Sequence, residues 1–298
     1  MRQQVVAMVL CYCLASLGYS QAKLRPEDVI ARHLESIGNA NARAAAKSRS
    51  VEGTATVMIV RGGQGGDSGL WKMTTDGPKF NLTMRFPNQV YPGENISADR
   101  THIDIATVAA TTHSQLGEFL YVRSEVLKEG LFGGTLSTAW PLLDLSAHQP
   151  EMRYVGLKKI NDRELHDIRY KPRKGESDFQ IDLYFEAETF RHVMTIYSFH
   201  VLPNMARTTH PFGQIEGEYR LQETFSQFRP VDGLSLPTQW SIEMSFEGAG
   251  GWLQKWTFAA EHFTTMPALS AAQEAPSGGH RYHQLVGEPC AGFQPCAR

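Results

Sequence analysis

Cysteine is scarce in this sequence, with four in 298 residues. Cys11 and Cys13 fall in an apolar N-terminal stretch that reads as removed on export, which leaves Cys290 and Cys296. One small loop near the end of the chain is all that such a pair closes, so the fold must stand on a buried core and not on disulfide staples. An excess of basic charge is also missing. Lys and Arg number 29 against 31 Asp and Glu, a net charge of −2, and nothing concentrates the positive face that nucleic acid demands. Beyond the N-terminal stretch, no run is long and apolar enough to span a bilayer.

Motifs of catalysis are missing too. There is no His-Glu-x-x-His helix and no Gly-x-Ser-x-Gly elbow. The glycine-rich stretch 61–66 lacks the Gly-Lys-Ser/Thr end and the following helix of a phosphate loop, and reads as a loose hairpin tip. The eleven histidines are scattered. His166, His192, His200 and His262 lie in predicted strands, where a polar-face or hydrogen-bonded core role is the default. His280, His283, Cys290 and Cys296 match no common zinc spacing, so a plain disulfide is preferred to a metal site. No catalytic residue, metal or cofactor is assigned, and the chain is expected not to be an enzyme.

At the N-terminus, Arg2 precedes an apolar stretch from Val5 to Leu17, and Ser20-Gln21-Ala22 offers small residues for cleavage. Residues 1–22 therefore read as a secretory signal, the alternative being an uncleaved anchor. Cys11 follows Leu10 and Cys13 follows Tyr12, which argues against acylation.

What is present is alternation. Phe80, Leu82, Met84 and Phe86 take turns with polar residues; so do Trp240, Ile242, Met244 and Phe246, and Ile181, Leu183 and Phe185 form a third such stripe. Each is a strand with one apolar and one wet face. Strands are predicted at 51–60, 69–75, 79–86, 90–98 and 101–108, then at 152–160, 164–170, 178–185, 190–201, 216–228, 234–246 and 251–263. Asp76-Gly77 and Val231-Asp232-Gly233 are turn signals. A helix opens at Pro26-Glu27-Asp28 and runs on Val29, Ile30, His33, Leu34 and Ile37 to Gly38. A second, at 116–127, carries Leu116, Phe119 and Leu120, and an apolar loop with Phe132 and Trp140 follows it; together they make a candidate lid. Strands in succession, not alternating with helices, predict a mainly β (α+β) fold, a strongly curved antiparallel sheet or incomplete β-barrel plugged by helices. The domain is placed at 23–263, and 264–298, rich in Ala, Ser, Gly and Pro, is expected to be a poorly ordered tail.

Three turns are familiar. The stretch 182–193, with Glu186 and Thr189 in an acid-x-x-Thr turn, resembles the strand-turn-strand signature of the LolA-like family of periplasmic lipoprotein carriers. The stretch 231–238 is similar to the hairpin that follows it in outer-membrane lipoprotein-sorting proteins, and Val155-Gly156 with Asn161-Asp162-Arg163 to the one that precedes it. The resemblance implies a curved, incomplete barrel with helices in its mouth and acyl chains in its concave cavity, and a home in the periplasm of a bacterium with two membranes. No partner-contacting residue of the carriers is matched here.

On this reading the three stripes hold a hydrophobic small molecule or lipid, such as an acyl chain or lipoprotein anchor. The lid residues Leu116, Phe119, Leu120, Phe132 and Trp140 cover it, because the helices are expected to be too few to blanket the sheet alone. Two other readings stay open: a filled-core envelope module that binds another protein through edge strands or the loop 132–145, and a hydrolase assembled from the strand histidines.

Overall fold

In the computed structural model, residues 24–107, 114–174, 178–201 and 216–265 are described. The chain divides into two units, Met1–Ala268 and Leu269–Arg298, and every described residue lies in the first. The signal at 1–22 and the pair Cys290 and Cys296 fall outside the described residues.

Twelve antiparallel strands make one open sheet. They are β1 (Ser48–Arg61), β2 (Gly66–Asp76), β3 (Lys79–Arg85), β4 (Glu94–Ala98), β5 (Ile103–Thr107), β6 (Glu151–Ile160), β7 (Arg163–Lys171), β8 (Gln180–Glu186), β9 (His192–Val201), β10 (Gly217–Val231), β11 (Leu234–Gly248) and β12 (Trp252–Thr265). The spatial order is β5-β4-β3-β2-β1-β12-β11-β10-β9-β8-β7-β6. Every neighbour is next in the chain except where β12 returns to β1, so β5 and β6 are left as the two edges of an incomplete barrel.

The register explains the stripes. Val51 pairs with Met73, Met73 with Leu82, Leu82 with Ile96 and Ile96 with Ile105, a row of inward side chains across five strands. Period-two alternation places each apolar set on one face, and pairing aligns the sets into a continuous surface.

Helix α1 (Pro26–Ile37) starts at a proline, with Glu27 and Asp28 in its first turn and Val29, Ile30, His33 and Ile37 buried. A short α2 (Ala40–Ala45) follows. Between the edge strands β5 and β6 run α3 (Gln115–Val122), α4 (Glu125–Lys128), two 3₁₀ turns (Gly134–Leu136 and Pro141–Leu143) and α5 (Leu145–His148).

Three expectations need correction. The single helix expected at 116–127 is two: α3 stops at Arg123, whose side chain turns inward over the rings of Phe199 and Phe179, and α4 begins a new turn on the Ser124 carbonyl. The strand expected from 90 starts at Glu94, because Pro92 has no N–H to give and Gly93 turns at φ 113 with its Cα against the Met84 carbonyl. The last strand, expected to end at 263, runs on to Thr265, since Thr264 and Thr265 still pair with Ser50 and Arg49.

Candidate functional site

The eleven stripe residues point into one interior. Phe80, Leu82, Met84, Phe86, Ile181, Leu183, Phe185, Trp240, Ile242, Met244 and Phe246 are each 5% exposed or less and share one hydrophobic cluster. Leu116, Phe119, Leu120, Phe132 and Trp140 are in that same cluster and equally buried. The structure thus brings all sixteen together. The expectation of uncovered apolar surface is not met: the segment 114–148 occupies the concave face as a plug. Phe132 stands edge-on to Phe80 at 5.9 Å and to Trp240 at 5.3 Å, and Phe119 lies 5.7 Å from Phe199. Three surface depressions, of about 160, 440 and 340 Å³, include no stripe residue in their walls.

The plug threads the barrel from one mouth to the other, and isolated polar contacts hold it along the way. At the mouth ringed by the β1–β2, β3–β4 and β11–β12 connections, the Ser114 N–H donates to buried Glu94 at 2.9 Å and Arg123 pairs with Asp178 at 3.1 Å. At the opposite mouth, the Thr138 N–H donates to Thr75 Oγ1 at 3.2 Å and its hydroxyl to the Gly77 carbonyl at 3.3 Å. Buried Arg49 donates to the carbonyls of Thr135 and Leu136, both at 3.0 Å.

The innermost contact is on Glu223. This carboxylate is fully buried at the middle of an inward row, paired with Thr195 on β9 and Ile242 on β11. Its Oε1 accepts the Gly133 N–H of the plug at 2.8 Å and the Trp240 indole N–H at 3.0 Å, while Oε2 accepts the Tyr197 hydroxyl at 2.8 Å. Burial pushes the carboxyl up to about 7 against the pull of these donors. Sequence reasoning missed Glu223, although its signal was legible. Tyr219, Leu221 and Phe225 alternate on the inward face, and Glu223 is the polar residue on that apolar side.

Beside it lies a histidine pair. His33 Nε2 accepts the Trp140 indole N–H at 3.2 Å, which leaves Nδ1–H to donate to the Phe190 carbonyl at 3.0 Å. His192 stacks on Trp140 at 4.6 Å and has Nε2 2.8 Å from Thr195 Oγ1; its Nδ1 has no partner. Burial lowers His33 to about 4 and His192 well below the ordinary range, so both are neutral. Gly134 of the plug sits over this pair at φ 49, where a Cβ would lie 2.8 Å from Phe225 and 3.0 Å from His192. His192 and Thr195 form a histidine–hydroxyl pair, but both are fully buried and no carboxylate meets Nδ1. His166 is buried as well, with Nδ1 3.0 Å from the Tyr154 hydroxyl. The loop 132–145 has Phe132, Leu136, Trp140 and Leu142 inside and offers a partner chiefly Leu143, 40% exposed; the open edge of β6 offers Leu157, 56% exposed, and Val155, 38%.

No family model matches the sequence and no curated protein matches it. Solved structures do. The chain is similar to a LolA superfamily protein from Nitrosomonas europaea, at 9% identity and TM-score 0.45, over 82% of this chain and 94% of that one. A DUF1329 family protein from Desulfovibrio piger aligns at 11% identity and TM-score 0.42, over 82% and 94%. A putative outer membrane lipoprotein-sorting protein domain from Vibrio parahaemolyticus aligns at 9% and 0.41, over 81% and 95%. Two of the three carry the family names that the turn signatures suggested.

Proposed function

We propose that this chain is an exported, non-enzymatic binding protein that takes a hydrophobic chain, such as an acyl chain or lipoprotein anchor, on the face its plug now covers. One observation supports this above the rest. Apart from the part under α1, the concave apolar face is covered neither by a second sheet nor by a long helix, but by helical pieces of eight, four, three, three and four residues strung between the two edge strands. Pieces so short are not helical on their own account and hold their shape only through packing. Of all the elements on the concave face, they leave it at the least loss of structure. Once they move, a three-stripe apolar surface is exposed, and an acyl chain laid there recovers about 0.8 kcal/mol per buried methylene.

Two linked measurements test the reading. Lipid extracted from gently purified protein, read by mass spectrometry, is expected to contain acyl chains at near-stoichiometric amounts. A fluorescent fatty acid is expected to bind with loss of hydrogen-exchange protection in 115–148 and no change in β10–β12. A lipid-free protein that also ignores the probe would overturn it. What would then remain is the filled-core envelope module, met by a partner strand at the open edge of β6.

A further inference from the structure

The depression of about 160 Å³ lies where the plug leaves the barrel, between the β2–β3 turn, the β4–β5 turn and the end of α4. It holds two cations, Arg100 and Lys128, and two carboxylates, Glu129 and Asp144. The carboxylates are engaged by the protein. Glu129 Oε2 accepts the Tyr170 hydroxyl at 3.3 Å and faces His148 Nδ1 at 3.0 Å. Asp144 caps α5, accepting the Ser146 hydroxyl at 2.6 Å and the Ala147 N–H at 3.2 Å. Arg100 lies near enough to add its charge to what the Ser146 hydroxyl and the Ala147 N–H do in holding Asp144 below the usual carboxylate range. Even so, neither the Arg100 nor the Lys128 side chain has a hydrogen-bond or ion-pair partner among the described residues. The donors left over in this depression are therefore cationic.

Its floor is Trp140. The same ring stacks on buried His192 and belongs to the core that the plug covers. The depression thus borders the covered face through a side chain of the plug. The volume is well below the roughly 300–1,000 Å³ of a complete small-molecule site, so it takes a head group only and leaves the tail to the face that the plug uncovers.

We infer that this mouth depression seats the anionic head group, carboxylate or phosphate, of an amphiphile on Arg100 and Lys128. The inference rests on the binding function proposed above and names the ligand's polar end. Both cations lie outside the packed core, so replacing them leaves the fold in place.

Three probes decide it, each titrated into the full chain and into the double variant Arg100→Gln, Lys128→Gln: laurate, dodecanol and inorganic phosphate. Laurate is expected to bind the native chain about tenfold tighter than dodecanol, the difference that one or two charge-assisted hydrogen bonds make. The double variant is expected to lose that preference and bind dodecanol as before. Equal affinity for laurate and dodecanol in the native chain would overturn the head-group site and leave the binding function standing, as would a preference that survives in the double variant. Phosphate bound through the two cations, with no binding of laurate, would mark a free-anion site and overturn the amphiphile. Failure of laurate and dodecanol alike would remove the binding function itself.

Discussion

A carboxylate at the middle of an apolar sheet face is the most demanding single residue in this molecule. Glu223 is tolerated there because three donors converge on it, one from the plug, one from β9 and one from β11. Replacing it by alanine orphans an amide, an indole N–H and a hydroxyl in the core, which is expected to cost about 3 kcal/mol in a urea denaturation series. Glutamine is expected to be nearly neutral at pH 6. Its amide oxygen keeps the two N–H donors, and the Tyr197 hydroxyl turns to accept from the new NH₂. The two variants differ from the native chain in pH behaviour as well. A carboxyl raised from 4.5 to about 7 on folding stabilises in full below 4.5 and loses that contribution as pH rises through 7. Glu223→Gln should therefore flatten the decline in stability between pH 4.5 and 7, and an unchanged decline would show that Glu223 is not its source.

At the scale of elements, strands and plug behave differently. The strands are 14 or 15 residues long at the centre of the sheet and are hydrogen-bonded on both sides. The plug pieces join no β-ladder and have only scattered polar anchors. Native-state hydrogen exchange is expected to place 115–148 in a unit that opens well below the global unfolding free energy. Phe132→Ala should speed exchange across that unit and leave β10 and β11 at native protection. Faster exchange in both regions in step would make the plug part of one cooperative core. This division also marks what was legible beforehand. Period-two alternation and turn dipeptides located every strand, because side-chain direction along a strand is a local property. The apolar residues of the lid were legible for the same reason. Where the lid goes was not, since nothing local says that Phe132 lies against Phe80 and Trp240 instead of over the barrel mouth. Nor did local pattern reveal that Arg123 breaks the helix by reaching Asp178.

For the whole molecule, the plug joins two opposed titrations in one core. Glu223 favours the folded state more at lower pH, whereas His33 and His192 favour it more at higher pH. Burial depresses both histidines, His33 from 6.5 to about 4, so the His33 contribution is complete above 6.5 and is lost as pH falls from there toward 4, and His192, held well below its ordinary range, acts in the same direction. The groups surrounding the histidines are Trp140, Thr195, Phe185 and Phe225, with Glu223 across the row from Thr195 and the Arg43 guanidinium acting on His33. Two histidines outweigh one carboxylate. Between pH 6.5 and 5 the native chain is expected to lose roughly 2 kcal/mol, since each group contributes at most about 1.4 kcal/mol per pH unit. The loss should appear first as exchange in the plug, because Trp140 and Gly134 are the plug residues that lie on the pair. His33→Phe with His192→Phe keeps two rings in the core and removes both protonation sites. Its absolute stability falls, through the lost bonds to Trp140, Phe190 and Thr195, but its acid slope from pH 6.5 to 5 should vanish or reverse under Glu223 alone. A double variant that keeps the native slope would place the acid sensitivity elsewhere and leave the histidines as packing. A slope that goes, with plug exchange at pH 5 returned to its pH 6.5 level, would make mild acid a means of opening the apolar face without unfolding the sheet.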